Sequence, residues 1–284
     1  MTKIYIPSEP IWCAGCGHFG VEAALRQALV NLDVDAHKVA ILAGIGCSGT
    51  IQNNIGTYGY HALHGRVLSA ATGMAIANPD LLVIAAGGDG DGYAIGMGHL
   101  VHSFKRNPGL VYIVMNNGTY GLTKGQNSPA TDPEGGGQPL DAALLGLAVP
   151  GTTFIARGFS GWPDHLEKLM VLALTHAREK RGFAFLEVMS PCVTYNDTYP
   201  AWSAALCNLD DDDDHNPSDR MGVVSRCTGL RAEGRIPAGL LYSAPGRALE
   251  TTLKVSASNA PAHRDIEPAR LIAEYRQLLE QMMV

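Results

Sequence analysis

Continuous apolar segments alternate with helical periodicities along the first two thirds of this chain. That alternation constrains the fold more than any other feature. The runs Val39 to Gly44, Leu81 to Ala86, Leu110 to Met115 and Phe183 to Val188 are apolar at nearly every position. Such runs predict strands buried on both faces rather than on one. Between them lie helical stretches. Gly17 to Asn31 carries Val21, Ala24, Leu25 and Ala28 on one face, and Gly65 to Ala77 is small, apolar and stopped by Asn78-Pro79. Tyr93 to Lys105 and Pro163 to Lys180 follow, the second with a proline suited to a first helical turn. The pattern predicts an α/β fold, a mostly parallel sheet with helices on both faces. In such sheets, ligands bind outside the carboxyl ends of the strands.

Beyond Tyr195 the alternation fades. The chain therefore divides into an α/β domain over 1–195 and an irregular C-terminal extension over 196–284, expected to pack on that domain or on a partner subunit. The extension contains an acidic run, Asp210 to Asp214, predicted to be solvated and mobile. It ends in a helix over Arg264 to Val284 with Ile266, Leu271, Ile272, Tyr275, Leu278 and Met282 on one stripe. Asn127 to Pro139, rich in glycine, proline and polar residues, is predicted to be an ordered loop over the site. The net charge of -6 argues against nucleic acid as a partner, because phosphate binding needs a basic surface. No apolar run is long enough to span a bilayer, and the N-terminus, Met1 to Pro7, lacks the apolar core of a signal peptide. These features predict a cytoplasmic protein.

The strand ends carry the chemistry. Gly87-Gly88-Asp89-Gly90-Asp91 follows the second apolar run, and Asn116-Asn117-Gly118 ends the third. Oxygen donors from Asp89 and Asn117 can hold a magnesium ion, and the glycines let a diphosphate approach the backbone. A turn of this kind with a downstream asparagine pair is the signature of a thiamine diphosphate site. Two ordinary turns would use the same residue types, so the context after buried strands carries the reading.

Six cysteines in a chain of this kind point to metal ligands or free thiols rather than disulfides. Cys13 and Cys16 form a CxxC pair opening the first helix, Cys47 lies in the glycine turn after the first strand, and Cys192 follows the last strand. Zinc and a [4Fe–4S] cluster both fit four cysteines, and a thioredoxin-type redox pair is a third possibility. Cys207 and Cys227 lie in the irregular tail, where free or buried thiols are the simpler reading.

The motifs Trp12-Cys13-Ala14-Gly15-Cys16-Gly17-His18, Gly44-Ile45-Gly46-Cys47-Ser48, His64-Gly65-Arg66, Gly88-Asp89-Gly90-Asp91, Asn116 to Gln126 and Ser190-Pro191-Cys192 occur in that order. Together they resemble the beta subunit of 2-oxoacid:ferredoxin oxidoreductases, especially the 2-oxoglutarate type. The resemblance covers about residues 10–245. It implies the diphosphate-binding half of a thiamine diphosphate fold, with thiamine diphosphate, Mg²⁺ and one [4Fe–4S] cluster. It also implies an alpha subunit that supplies the activating glutamate, in an (alpha-beta)2 heterotetramer.

By position, the resemblance assigns Asp89, Asn117 and the Thr119 carbonyl to Mg²⁺, and Cys13, Cys16, Cys47 and Cys192 to the cluster. It assigns Gly46, Cys47, Ser48, His64, Gly88, Asp89, Gly90, Asp91, Asn117 and Leu122 to the bound thiamine diphosphate, Leu122 pressing on its bent form. His64 and Lys124 would be the catalytic residues, the Lys124 ammonium suiting the distal carboxylate of a dicarboxylic 2-oxoacid. His18 and Arg66 have local structural readings of equal weight. The implied reaction is oxidative decarboxylation of 2-oxoglutarate to succinyl-CoA with coenzyme A and ferredoxin, or its reversal as a reductive carboxylation. Alternatives are a pyruvate or broad-specificity enzyme, a non-oxidative thiamine-dependent decarboxylase, and a zinc-bearing scaffold.

Overall fold

The apolar runs become the centre of the structure. In this computed structural model, residues 8–131, 138–264 and 267–282 are described. Expectations for Met1 to Pro7, for 132–137 of the loop, for Ile266 and for the last two residues lie outside the described residues. In chain order the strands are β1 (Val39–Ala43), β2 (Tyr58–His61), β3 (Leu82–Gly88), β4 (Leu110–Asn116), β5 (Thr119–Tyr120), β6 (Gln126–Asn127), β7 (Phe154–Phe159), β8 (Ala184–Met189), β9 (Leu206–Asn208) and β10 (Ile236–Ser243). The helices are α1 (His18–Asn31), α2 (Ile51–Asn54), α3 (Val67–Ala77), α4 (Met97–Arg106), α5 (Ala142–Leu147), α6 (Pro163–Arg178), α7 (Tyr199–Ala205), α8 (Arg220–Ala232), α9 (Leu249–Thr252) and α10 (Pro268–Met282).

An eight-stranded sheet runs in the order β2-β1-β3-β4-β8-β7-β10-β9, and β5 pairs with β6 apart from it. Every pairing in the large sheet is parallel except β7 with β10. Strand side chains alternate between two cores. Ile41, Ile84, Ile113 and Leu186 face α1 and α6, whereas Leu42, Val83, Tyr112, Val114 and Phe185 face α3, α4 and α8. Both faces are dry, which is why these strands read as unbroken apolar runs.

Strand order also creates the crevice. β1 and β3 are neighbours, but β1 leads into α2, whose Ile51 joins the first core. β3 leads toward α4, whose Leu100 and Phe104 join the second. Chains leaving adjacent strands toward opposite faces open a gap at their carboxyl ends, the usual ligand position in such sheets.

Several expectations need correction. The pattern does not fade beyond Tyr195: β10 enters the sheet beside β7, and α8 packs Val223, Cys227 and Leu230 into the second core. Pro237 and Gly239, the latter at φ +106°, interrupt the apolar run and hide this strand in the sequence. The acidic run is largely exposed, as expected, but two of its carboxylates have partners in the fold. Leu209 is buried beside it, Asp210 accepts the Leu240 N–H and the His165 ring N–H, and Asp212 pairs with Arg226 at 2.6 Å. The helix expected from Tyr93 begins two residues earlier, as one wide turn at Asp91–Ile95, and α4 follows it. Among the described residues the C-terminal helix is Pro268–Met282, and Leu271, Ile272, Tyr275, Leu278 and Met282 of its apolar stripe are exposed.

Candidate active site

Four strand ends meet at one crevice. Gly46, Cys47 and Ser48 follow β1, Gly88 ends β3 and Asp89 to Asp91 follow it, Asn117 and Thr119 to Leu122 follow β4, and His64 comes from the segment after β2. All of these residues line a single cavity of about 140 Å³, together with His18. The turn residues predicted from scattered motifs are therefore brought together.

Asp89 sits at the bottom and is buried. Its Oδ1 accepts the Asn117 N–H at 3.2 Å, and its Oδ2 accepts the Ser128 hydroxyl. These partners are neutral. Burial pushes the Asp89 carboxyl up to about 6, only partly offset by those hydrogen bonds. A buried carboxylate with neutral partners, beside the Asn117 amide and Thr119, fits a hard divalent cation that takes oxygen ligands. The Asn117 Oδ1 accepts the Thr119 N–H at 3.0 Å, which fixes the turn.

The glycines divide into two kinds. Gly46 has φ +110°, and a Cβ there would meet nothing, so its backbone borders open space in the cavity. At Gly90 a Cβ would run into the Tyr120 ring, so this glycine admits a protein side chain. Gly88 would place a Cβ 3.2 Å from Ser48 Oγ.

Asp91 lines the cavity, yet its partners are protein groups. Its Oδ1 accepts the Ile45 N–H at 3.0 Å, the Gly65 N–H at 2.8 Å and His64 Nδ1 at 2.8 Å. Because that oxygen serves as acceptor throughout, His64 carries its proton on Nδ1, and a neutral ring presents Nε2 as an acceptor. Asp91 thus ties three loops and orients His64. Arg66 lies outside the cavity lining, its guanidinium on the Gly65 and Ile95 carbonyls.

A second cavity of about 440 Å³ adjoins the first, sharing His18, Gly46, Cys47, Asn117 and Leu122. Cys13, Cys16, Cys47 and Cys192 all line it. Burial pushes the Cys16 thiol up to about 11, with the charges of Cys192, Cys47 and Cys13 adding to the shift. Cys47 moves the same way, by burial and then Cys192. Mutual repulsion among grouped thiols favours their neutral forms unless a metal centre offsets it. Cys207 and Cys227 lie elsewhere and do not line it.

Lys124 is the exception among the expected residues. It lines neither cavity, is exposed, and holds φ +76° as it closes the turn Gly121–Thr123. Leu122 lines both cavities but is 63% exposed, with nothing yet pressing on it.

Other residues support the site, of which Asn196 was not singled out from the sequence. Trp12 Nε1 donates to the Cys47 carbonyl at 2.8 Å, and Asn196 Nδ2 donates to the Asn117 carbonyl at 2.9 Å. His18 is buried, with Nδ1 2.7 Å from Ser190 Oγ, and burial lowers its pKa to about 4. Glu187 is the residue whose sequence carried a signal: a lone carboxylate inside an apolar strand must find partners.

The family model described as the thiamine pyrophosphate enzyme, C-terminal TPP binding domain, matches residues 37–188. A 2-oxoacid:ferredoxin oxidoreductase subunit beta from Sulfolobus sp is 37% identical, over 95% of this chain and 93% of its own length. A 2-oxoglutarate synthase subunit KorB from Archaeoglobus fulgidus is 38% identical, over 67% of this chain and 73% of that one. Among solved structures, a 2-oxoglutarate:ferredoxin oxidoreductase from Magnetococcus marinus with 2-oxoglutarate, coenzyme A and succinyl-CoA bound has a TM-score of 0.82 at 35% identity, covering 95% of this chain and 94% of that one.

Proposed function

This chain belongs to the 2-oxoacid:ferredoxin oxidoreductase beta subunits, thiamine-dependent enzymes, and from that premise we propose that it serves a 2-oxoglutarate:ferredoxin oxidoreductase. In this reading its first cavity holds the diphosphate end of thiamine diphosphate through Mg²⁺, and its second holds one [4Fe–4S] cluster. The observation that carries the reading is the wall between the two cavities. Cys47 belongs to both linings, so the chain offers a cluster ligand directly beside the proposed cofactor cradle.

When bound, the thiamine supplies an electron sink for decarboxylation and the cluster takes electrons one at a time. The chain's own residues do the rest. Asp89, Asn117 and the Thr119 carbonyl hold the cation, while Gly46, Ser48 and Gly88 admit the diphosphate. His64, oriented by Asp91 at 2.8 Å, accepts a proton at Nε2 on the cavity side. Leu122, which lines the cavity, would pack against the cofactor.

Several facts favour this over the alternatives. The four thiols share a cavity of about 440 Å³, which leaves room for a polynuclear centre. The non-oxidative decarboxylase reading leaves those four thiols without a use. The first cavity, about 140 Å³, falls well below the roughly 300–1,000 Å³ of complete ligand sites. It suits half a site, closed by an alpha subunit in an (alpha-beta)2 assembly.

The substrate choice rests on relatives named for 2-oxoglutarate and on Lys124. Exposed at the rim, that ammonium is available to a distal carboxylate once the alpha subunit covers it. Pyruvate or broad specificity is the alternative. Coenzyme A as acyl acceptor and ferredoxin as electron partner are part of the proposal, supported by the Magnetococcus marinus enzyme, which is named for ferredoxin and has coenzyme A bound. Run in reverse, the same site would consume an acyl-CoA, CO₂ and two electrons from a donor of low enough potential, and release coenzyme A. The proposed location is the cytoplasm; among the described residues, no helix is long and apolar enough to cross a membrane.

The test is the anaerobically purified complex. The reading expects a brown chromophore bleached by dithionite, about four irons for each beta chain, and bound thiamine diphosphate. Zinc alone would sink it.

A further inference from the structure

Glu187 lies in the middle of β8, among apolar neighbours, and is 2% exposed. A carboxylate there needs compensation. Its Oε2 accepts Arg157 Nε at 2.6 Å, and Arg157 reaches Asp141 at 2.8 Å and the Pro237 carbonyl at 3.1 Å. That ion pair would suffice for neutrality. Glu187 makes two further bonds from its other oxygen: Oε1 accepts the Tyr93 hydroxyl at 2.7 Å and Asn116 Nδ2 at 2.9 Å.

Those two donors come from the two turns that meet at Asp89. Tyr93 lies four residues after Asp89, in the wide turn Asp91–Ile95. Asn116 ends β4 and immediately precedes Asn117, and its Oδ1 accepts the Gly118 N–H at 3.0 Å. One carboxylate oxygen therefore ties both turns from the core side. On the cavity side the same two turns are joined directly, by the Asn117 N–H on Asp89 Oδ1 at 3.2 Å. Tyr93 and Asn116 are both buried, so water cannot replace these bonds easily.

We propose that Glu187 is a positioning residue for the divalent-cation site, fixing the separation of Asp89 from Asn117 through Tyr93 and Asn116. The inference rests on the reading of Asp89 and Asn117 as cation-holding residues. It has a specific consequence. Mg²⁺ demands near-ideal octahedral geometry at short distances, whereas Ca²⁺ accepts longer and irregular coordination. Loosening the clamp should penalise Mg²⁺ and spare Ca²⁺. A residue that merely supports the fold would affect both ions alike.

The experiment measures binding of thiamine diphosphate to the assembled, cofactor-depleted complex by calorimetry, titrating Mg²⁺ or Ca²⁺. The variants are Glu187→Gln, Tyr93→Phe and Asp89→Ala. Tyr93→Phe removes one arm without disturbing the Arg157 ion pair, so it keeps the test alive if Glu187→Gln fails to assemble. The expected result is an apparent Mg²⁺ affinity about tenfold weaker in Glu187→Gln and about threefold weaker in Tyr93→Phe, with Ca²⁺ affinity within about twofold of wild type. Equal losses for both ions, or none, would overturn the positioning role while Asp89→Ala still abolished binding. Wild-type Mg²⁺ affinity in Asp89→Ala would instead overturn the cation site itself, and the clamp with it.

Discussion

At the scale of single residues, the cysteines give the sharpest division. Cys13, Cys16, Cys47 and Cys192 line one cavity, whereas Cys227, on α8, is buried in the second core and Cys207 lies on β9. Serine at any of the first four should lower the iron content of the purified complex, and serine at Cys207 or Cys227 should leave it unchanged; iron and acid-labile sulfide assays read this directly. A fourth ligand from the second group would require rebuilding β9 or α8. Lys124 makes a separate prediction. Lys124→Ala should raise the KM for 2-oxoglutarate roughly tenfold more than that for pyruvate, the size of a lost charge-assisted hydrogen bond. Equal changes for both substrates would assign the lysine to coenzyme A or to the interface.

At the scale of elements, α6 carries a pH sensor of stability. His176 is 1% exposed, with Nε2 3.0 Å from Thr153 Oγ1, whose hydroxyl donates to Asn107 at 2.9 Å. The Thr153 oxygen therefore accepts from His176, and the ring is neutral with its proton on Nε2. Burial first, then the Arg181 charge, lowers its pKa to about 3. A depressed histidine is neutral in both states above the unfolded value of about 6.5, so its full contribution is present there. As pH falls below 6.5 the unfolded chain takes the proton first, and stability drains away until about pH 3. By pH 5 the loss from this group is roughly 2 kcal/mol. Denaturant titrations at pH 7 and pH 5 should show that loss in wild type and a smaller one in His176→Gln. Parallel losses would place the acid sensitivity elsewhere.

A glycine position tests how tightly the strand ends are packed. Gly44, just after β1, would drive a Cβ into the Asp91 carboxylate, which is held by three donors on other loops. Gly44→Ala should destabilise the chain by about 1–3 kcal/mol, the usual range for overpacking. It should also displace His64 from Asp91, visible as a lowered kcat in the assembled complex. An alanine variant of wild-type stability would mean that Asp91 swings aside at little cost.

At the scale of the whole molecule, the site face is unfinished. Ile11, Leu122 and Tyr195 line the cysteine cavity and are exposed, and Leu63, beside His64, is 78% exposed. A cluster of exposed apolar groups around polar site residues marks an interface. The chain expressed without its alpha subunit should therefore bind thiamine diphosphate at least about tenfold more weakly than the complex and self-associate through this face. Calorimetry and light scattering on the separated and recombined subunits check both. Full turnover by the isolated chain would contradict a divided site.

The sequence by itself determined what local chemistry can determine. Runs such as Leu110 to Met115 had to be strands buried on both sides, because their apolar atoms leave no wet face. Glycines, carboxylates and amides after those runs had to be turns at strand ends, and the order of six motifs identified the family. Only the tertiary structure decided what depends on distant partners. β10 joins the sheet because β7 offers it a free edge, something Pro237 and Gly239 conceal in sequence. Asp210 is pinned by Leu240 and His165, and acidic composition carries no record of such pairing. Asp91 faces the Ile45, His64 and Gly65 groups, while Lys124, eight residues past Asn116, lines neither cavity. The direction of a side chain leaving a turn is set by backbone angles and by packing from other loops, not by its neighbours in the chain. The same reason hides the clamp at Glu187: a single charge in an apolar strand announces that partners exist, and only the folded sheet says that they are the two turns holding Asp89 and Asn117.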